Sequence, residues 1–260
     1  MDTNVAGKKV AILLYDYFEQ DEFEEPLTAL KDAGVGVTVV TASDDLEVFG
    51  MHHANLGDKF QADILLRDAD PDDYDGLLLP GGVVNADALR TNGEAQDWAV
   101  DFLDSGKPVA AICHAPWLLV SADAVEGRRL TSYHTLEDDI LNAGGEWVNQ
   151  EVVVDDNLVT SRKPDDLPAF CNAFIELLAN AQALALGDDI NENEGEGAST
   201  IDEKIVEDDA RLRSLGYVKG RDEITFNDER EILADDDDED PDEFHPSDVV
   251  PQDEQDGNND

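Results

Sequence analysis

Basic residues are scarce in this chain. Seventeen Lys and Arg stand against 63 Asp and Glu in 260 residues, a formal net charge of −46. Such a charge repels phosphate backbones and anionic lipid surfaces, so neither nucleic acid nor membrane is expected as a partner. Cysteine is scarcer still. Cys113 and Cys171 are the only two, with no Cys-x-x-Cys spacing, which argues against a disulfide framework and a cysteine zinc site. No run approaches the ~18–20 continuous apolar residues of a membrane span. Met1 to Gly7 lack the charged-then-apolar layout of a secretory signal. These absences lead to the expectation of a soluble, cytoplasmic protein.

Hydrophobic residues make up 41% of the chain, enough for a buried core. The excess acid is not confined to one end. From Gly187 to Asp260 there are 28 acidic and 6 basic residues, and the first 186 residues still carry 35 acidic and 11 basic. Self-repulsion of this size is relieved when salt shortens the Debye length to roughly 3 Å at 1 M. Excess acid spread through the globular part as well therefore reads as adaptation to a high-salt cytoplasm rather than as an acidic docking tail.

Short β-branched and aliphatic runs alternate with helical patterns. Lys9–Tyr15, Val35–Thr41, Gly76–Leu79 and Lys107–Ile112 read as buried strands. Helices are expected over Glu22–Ala33, stopped by Gly34, and over Ala86–Thr91, Glu94–Ser105, His114–Ala122 and Asp165–Ala181. Later strands fall at Arg129–Thr131, Glu151–Val154 and Leu158–Thr160, with a turn at Asp155-Asp156-Asn157. The polar, Gly-punctuated stretch Asp44–Asp73 is expected to be irregular with short strands. The order predicts an α/β fold: a three-layer α/β/α sandwich, flavodoxin-like, with a mostly parallel sheet. One domain is expected over residues 1–186, then an acidic extension with a short helix over 187–234 and a disordered acidic tail over 235–260.

Two strand ends carry chemistry. In Ala110–Pro116 (AAICHAP) a buried strand runs into Cys113, with small Ala111 and Ala115 two residues to either side. That is the steric requirement of a nucleophile elbow, in which a sharp turn presents the reactive side chain. A thiol at the start of a helix faces unpaired N–H groups and is expected to lose its proton more readily. At the end of Gly76–Leu79, Pro80-Gly81-Gly82 lets the backbone approach a ligand and aim N–H groups at an oxyanion. Of the remaining candidates, Cys171 falls beside Phe170 and Phe174 on the last helix and reads as inert core. His52-His53 has no carboxylate or further His at ligand spacing, so it reads as loop; no metal or cofactor is expected.

The chain from about Lys8 to Ala179 resembles the PfpI-type intracellular protease family of the class I glutamine amidotransferase-like superfamily. The resemblance rests on FEQDEFEEP at Phe18–Pro26, LLPGG at Leu78–Gly82, KPVAAICHAPWLL at Lys107–Leu119 and the long run Thr131–Leu167. It implies Cys113 as nucleophile, His114 as its base or polarising partner, and Glu19 as an acid hydrogen-bonded to the sulfur. It implies Asp87 as an acid reaching the histidine of a neighbouring subunit, so that a homo-oligomer, dimer or hexamer, completes the site. Gly81 and Gly82 would border the substrate, the backbone N–H groups of Gly82 and His114 would form an oxyanion hole, and Tyr133 would line the pocket. Members are described as cysteine peptidases, as deglycases and glyoxalases acting on methylglyoxal adducts, and as redox sensors or holding chaperones. The expected substrate is accordingly a small carbonyl adduct or a peptide. Glutamine amidotransfer is disfavoured, because no His-x-Glu occurs near Thr160–Pro168.

Overall fold

The computed structural model describes residues 5–188. The sequence expectations for 189–260 lie outside the described residues.

In chain order the elements are β1 (Lys9–Leu14), β2 (Phe18–Glu19), α1 (Gln20–Asp32), β3 (Gly36–Thr41), β4 (Glu47–His52), β5 (Asn55–Gln61), β6 (Ile64–Leu65), β7 (Gly76–Leu79), α2 (Val83–Arg90), α3 (Gly93–Asp104), β8 (Val109–Ile112) and α4 (Pro116–Ser121). They continue with β9 (Arg129–Leu130), α5 (Glu137–Asn142), β10 (Glu146–Trp147), β11 (Val152–Asp155), β12 (Leu158–Ser161) and α6 (Leu167–Asp188). Seven strands form one sheet in the order β11-β12-β8-β7-β1-β3-β6. Every neighbouring pair is parallel except β11 with β12, whose two-residue turn places Asp156 at φ +54°.

β1 sits near the middle because it is apolar on both faces. Ala11 and Leu13 enter one core, and Val10, Ile12 and Leu14 enter the other, as the two-residue strand period requires. The first core is closed by Leu89 of α2, Trp98 and Phe102 of α3, and Leu118 and Leu119 of α4. The second is closed by Phe23 and Leu30 of α1 with Phe170, Phe174 and Leu178 of α6. Helices thus cover both faces, which is the predicted three-layer α/β/α sandwich.

Four expectations are corrected. The stretch after Asp44 is not irregular: β4 and β5 form a long antiparallel hairpin whose first strand also pairs in parallel with β2. Its strands are mostly polar: only a few side chains, such as Val48 and Phe60, reach the second core, and polar side chains fasten the rest. Buried Gln20 accepts from Asp58 N–H at 2.8 Å and donates Nε2–H to Asp58 and Glu24, both at 2.9 Å, while Asp16 accepts from Phe49 N–H at 3.1 Å. Arg129–Leu130 pairs with β10 outside the main sheet. The helix expected from His114 begins at Pro116, and the last helix runs to Asp188, past Ala181.

β1, β7 and β8 end side by side, so the segments that follow Leu14, Leu79 and Ile112 converge at the carboxyl edge of the sheet. In open α/β sheets this edge is where ligands are held.

Candidate active site

Cys113 follows β8 at φ +61°, a left-handed conformation that a non-glycine residue adopts at a cost of roughly 1–3 kcal/mol. Hydrogen bonds on both sides hold it there. Cys113 N–H donates to Ser161 O at 3.1 Å, and Tyr133 N–H donates to Cys113 O at 2.9 Å. Ala111 and Ala115 flank the bend, both buried. The elbow expected from AAICHAP is present, although three residues separate the end of β8 from the first residue of α4.

The Pro80-Gly81-Gly82 loop lies against this elbow and admits no side chain at either glycine. A Cβ on Gly81 would meet the Cys113 Cβ at 2.6 Å and Ile112 O at 2.9 Å. Gly82 has φ +93°, and a Cβ there would meet Glu19 N at 2.7 Å and Tyr17 O at 2.8 Å. Buried Asn85 ties the loop down: its Nδ2–H donates to Pro80 O and Gly81 O at 2.8 and 2.9 Å, and its Oδ1 accepts from Tyr15 N–H at 2.7 Å. The backbone N–H groups of Gly82 and His114 lie beside the Cys113 sulfur and favour its thiolate.

Of the two acids near the loop, the one beside the thiol is Glu22. Glu19, expected to bond the sulfur, instead accepts from His53 N–H, at 3.1 Å to Oε2 and 3.3 Å to Oε1. Glu22 is fully buried on the first turn of α1, accepts from Gly81 N–H at 2.8 Å, and interacts with the Cys113 thiol. Helix geometry explains the exchange. Glu22, Pro26 and Leu30 form an i, i+4, i+8 row facing the core, whereas Glu19 precedes the helix and follows β2 toward the hairpin. An acid on the apolar row of an amphipathic helix was the available signal, since a buried charge is the informative exception.

Burial, and then the neighbouring charge of Glu19, push the Glu22 carboxyl up to about 8, against the opposing pull of Gly81 N–H. Glu22 is therefore protonated at neutral pH. Burial likewise pushes the Cys113 thiol up, followed by the Glu22 charge, while the Gly82 and His114 N–H groups favour the thiolate. The depressed thiol pKa expected from a helix terminus is thus overridden: removal from water outweighs the local N–H groups, and the first turn of α4 lies beyond His114. Both groups resist becoming anionic side by side, so thiol and carboxyl together keep at least one proton.

His114 is half-buried. Its Nδ1 lies 3.1 Å from Cys113 Sγ and its Nε2 lies 3.2 Å from Thr135 Oγ1. Its ring stacks on Tyr133 at 4.7 Å between centroids and 29° between planes, and Tyr133 also contacts His134 at 4.5 Å. Burial, and then the neighbouring His134, lower the His114 imidazole to about 4, so it is neutral at neutral pH. Asp87 lies apart from this group within one chain. Its exposed carboxylate is held by Arg90 of its own helix, at 2.8 Å to Nη2 and 2.9 Å to Nε, and the Arg90 guanidinium lies 4.3 Å above the Trp117 ring.

Cys171 is half-buried rather than fully buried, with its thiol pushed up to about 12 by burial and by Glu25. His52 acquires the carboxylate neighbours that its sequence surroundings lack. Pairing of β2 with β4 sets Glu19 opposite Met51, and among the described residues Glu19, Asp21 and His52 present ligand-type atoms within 4.8 Å of one another. A divalent cation is the species such a group could hold. No described helix is long and apolar enough to cross a membrane.

A family model described as the DJ-1/PfpI family matches residues 8–177. The chain belongs to the DJ-1/PfpI family. It is 40% identical over 172 residues to "Putative cysteine protease YraA" of Bacillus subtilis, a match spanning 66% of this chain and 99% of that one. It is 43% identical over 177 residues to protein/nucleic acid deglycase 2 of Escherichia coli, spanning 66% and 98% of the two chains. Drosophila melanogaster DJ-1beta shares the fold at a TM-score of 0.62 and 29% identity, over 69% of this chain and 96% of that one. Residues 178–260 lie outside the family match.

Proposed function

We propose that this DJ-1/PfpI domain is a cysteine-dependent hydrolase in which Cys113 attacks an electrophilic carbonyl carbon of a peptide or a dicarbonyl adduct. The observation that carries this reading is the approach of His114 Nδ1 to Cys113 Sγ, 3.1 Å, on an elbow whose backbone N–H groups converge on the same sulfur. Attack breaks the S–H bond as the proton passes to Nδ1 and the sulfur lone pair forms the S–C bond. The carbonyl π electrons move onto oxygen, and the Gly82 and His114 N–H groups are placed to stabilise that oxyanion. The protonated Glu22 carboxyl holds the Gly81 amide, while the Glu19 carboxylate is held by His53 N–H.

A neutral imidazole at about 4 is a weak base, and a carboxylate near the ring would raise it. We assign that carboxylate to Asp87 of a neighbouring copy in a homo-oligomer, since exposed Val83 and Val84 beside it leave this edge of α2 apolar and open. The names of two relatives, a cysteine protease and a deglycase, support hydrolysis as the reaction class. The test is turnover of methylglyoxal-modified peptide and of casein in molar KCl, where this charge is best screened. Cys113→Ser should retain the fold and lose at least 10³-fold in rate, in the range expected when a covalent nucleophile is removed. Asp87→Ala should impair turnover while leaving Cys113 open to iodoacetamide. Full turnover by Cys113→Ser would rule the reading out.

One observation favours a second reading. Glu22 Oε1 is buried without a hydrogen bond of ordinary geometry, in a carboxyl that stays protonated beside the thiol. Such a group can donate to an oxygen newly bonded to sulfur. Peroxide would then convert Cys113 to a sulfenic and further to a sulfinic acid, the peroxide being reduced to water. A stress or redox sensor, or a chaperone so switched, would show Cys113 oxidation with no hydrolysis of either substrate.

A further inference from the structure

The hydrogen bond on the far side of the His114 ring has no part in the scheme above. A neutral imidazole carries one N–H and one bare nitrogen, and the partner of each nitrogen decides which is which. For Nδ1 to take the thiol proton, the resting proton must sit on Nε2, and that N–H needs an acceptor. Thr135 Oγ1 lies at hydrogen-bond distance from Nε2, 3.2 Å.

We propose that Thr135 is the positioning residue of this site: its hydroxyl oxygen accepts from His114 Nε2–H, fixing the tautomer whose bare Nδ1 faces the Cys113 thiol. The inference rests on the reading of His114 as proton acceptor. Thr135 and Tyr133 together fix the ring in two different senses. The Tyr133 face sets its plane, and the hydroxyl sets its rotation within that plane.

The segment that carries them is anchored to the elbow rather than hung from a loose loop. Thr131 N–H donates to Thr160 Oγ1 at 3.0 Å and Tyr133 N–H donates to Cys113 O at 2.9 Å. Trp147 Nε1–H donates to Ser132 Oγ at 2.9 Å, and the Ser132 hydroxyl donates in turn to Tyr133 O at 2.9 Å. A single turn over His134–Leu136, closed by Leu136 N–H to Tyr133 O at 3.1 Å, then lifts Thr135 to the ring edge.

The neutrality of this partner has a chemical consequence. A carboxylate at Nε2 stabilises an imidazolium and favours a preformed thiolate–imidazolium pair; a hydroxyl does not. The groups facing the ring are Cys113, Tyr133, His134 and Thr135, with Glu22 beyond the thiol, and none is a carboxylate in contact with the ring. With Thr135 as partner, thiol and imidazole rest as a neutral pair. The proton moves only as carbon is attacked, and the ring returns it to the departing group. Asp87 from a neighbouring copy would have to compete with Thr135 for the same proton, so Thr135 governs the resting state and assembly strengthens the base.

The test uses the full chain with 15N-labelled histidine, the His114 signals being assigned with His114→Gln. In the wild type the Nδ1 signal should fall in the range of a bare nitrogen and Nε2 in that of an N–H nitrogen. Thr135→Val should shift the population toward the Nδ1–H tautomer and lower kcat roughly 10-fold with KM little changed, short of the 10²–10⁴ a general base itself contributes. Thr135→Ser, which keeps the hydroxyl, should restore both. A wild type already in the Nδ1–H form, nitrogen shifts that ignore Thr135→Val, or a Thr135→Ser variant as impaired as Thr135→Val would each overturn the proposal. If the nitrogen shifts respond as stated while no substrate is turned over, Thr135 keeps its role and the hydrolase reading fails.

Discussion

Gly82→Ala is expected to destabilise the protein by on the order of 3 kcal/mol and to cost it nearly all turnover. The added Cβ meets Glu19 N at 2.7 Å, Tyr17 O at 2.8 Å and Phe18 C at 3.0 Å, and these are backbone atoms that cannot swing away. The left-handed φ of +93° adds strain even where space is available. Relief would require the Pro80–Gly82 loop to lift from the segment carrying Glu19, withdrawing the Gly82 N–H from the sulfur. Gly93→Ala is the internal control, since a Cβ there meets nothing within 4 Å on the first turn of α3. It should leave stability unchanged or raise it slightly. Urea midpoints at fixed molar KCl check both; equal midpoints would remove the steric account of the loop.

The second large effect is a change in the pH profile of stability on Glu22→Gln. The folded carboxyl sits at about 8, above its ordinary value of 4.5. Below the unfolded value it is protonated in both states and contributes its full stability. As pH rises from about 5 toward 8 the unfolded chain ionises while the folded chain holds its proton, so stability falls, and above 8 this contribution is lost. Glutamine cannot ionise and still offers an oxygen to the Gly81 amide. Wild type and Glu22→Gln should therefore have similar stability near pH 4 and diverge with rising pH, the variant being the more stable at pH 8.5. Parallel profiles across that range would mean that Glu22 is already ionised in the folded protein.

The sandwich was legible because its strands are apolar on both faces and its helices carry period-3.6 rows, so burial follows directly from the pattern. The hairpin of β4 and β5 was not, because only isolated side chains such as Val48 and Phe60 reach the core while hydrogen bonds to Gln20 and Asp16 hold the rest, which leaves no sustained hydrophobic period. At the site, Cys113 and the two glycines stood out through steric demands written in short motifs: small flanking residues, and positions where a Cβ has no room. Glu19 and Glu22 were harder to tell apart. Two residues separate them in sequence, yet one ends a strand and the other turns inward on the first turn of a helix, and only that boundary decides which reaches the sulfur. Asn85 joins the Pro80-Gly81 carbonyls to distant Tyr15 N–H, and Thr135 meets His114 from twenty-one residues away, contacts that leave no trace in a local motif. His52 likewise meets Glu19 and Asp21 only through strand pairing. Asp87 is placed by the fold at an exposed position of α2, paired with Arg90 of its own helix and away from His114 of the same chain.

Intact-mass analysis of protein quenched during turnover of a methylglyoxal-modified peptide tests the central claim most directly. The account predicts a transient covalent adduct that maps to Cys113, leaves Cys171 unmodified, and is lost with turnover in Cys113→Ser. Turnover with no adduct, with an adduct elsewhere, or undiminished in Cys113→Ser would contradict it.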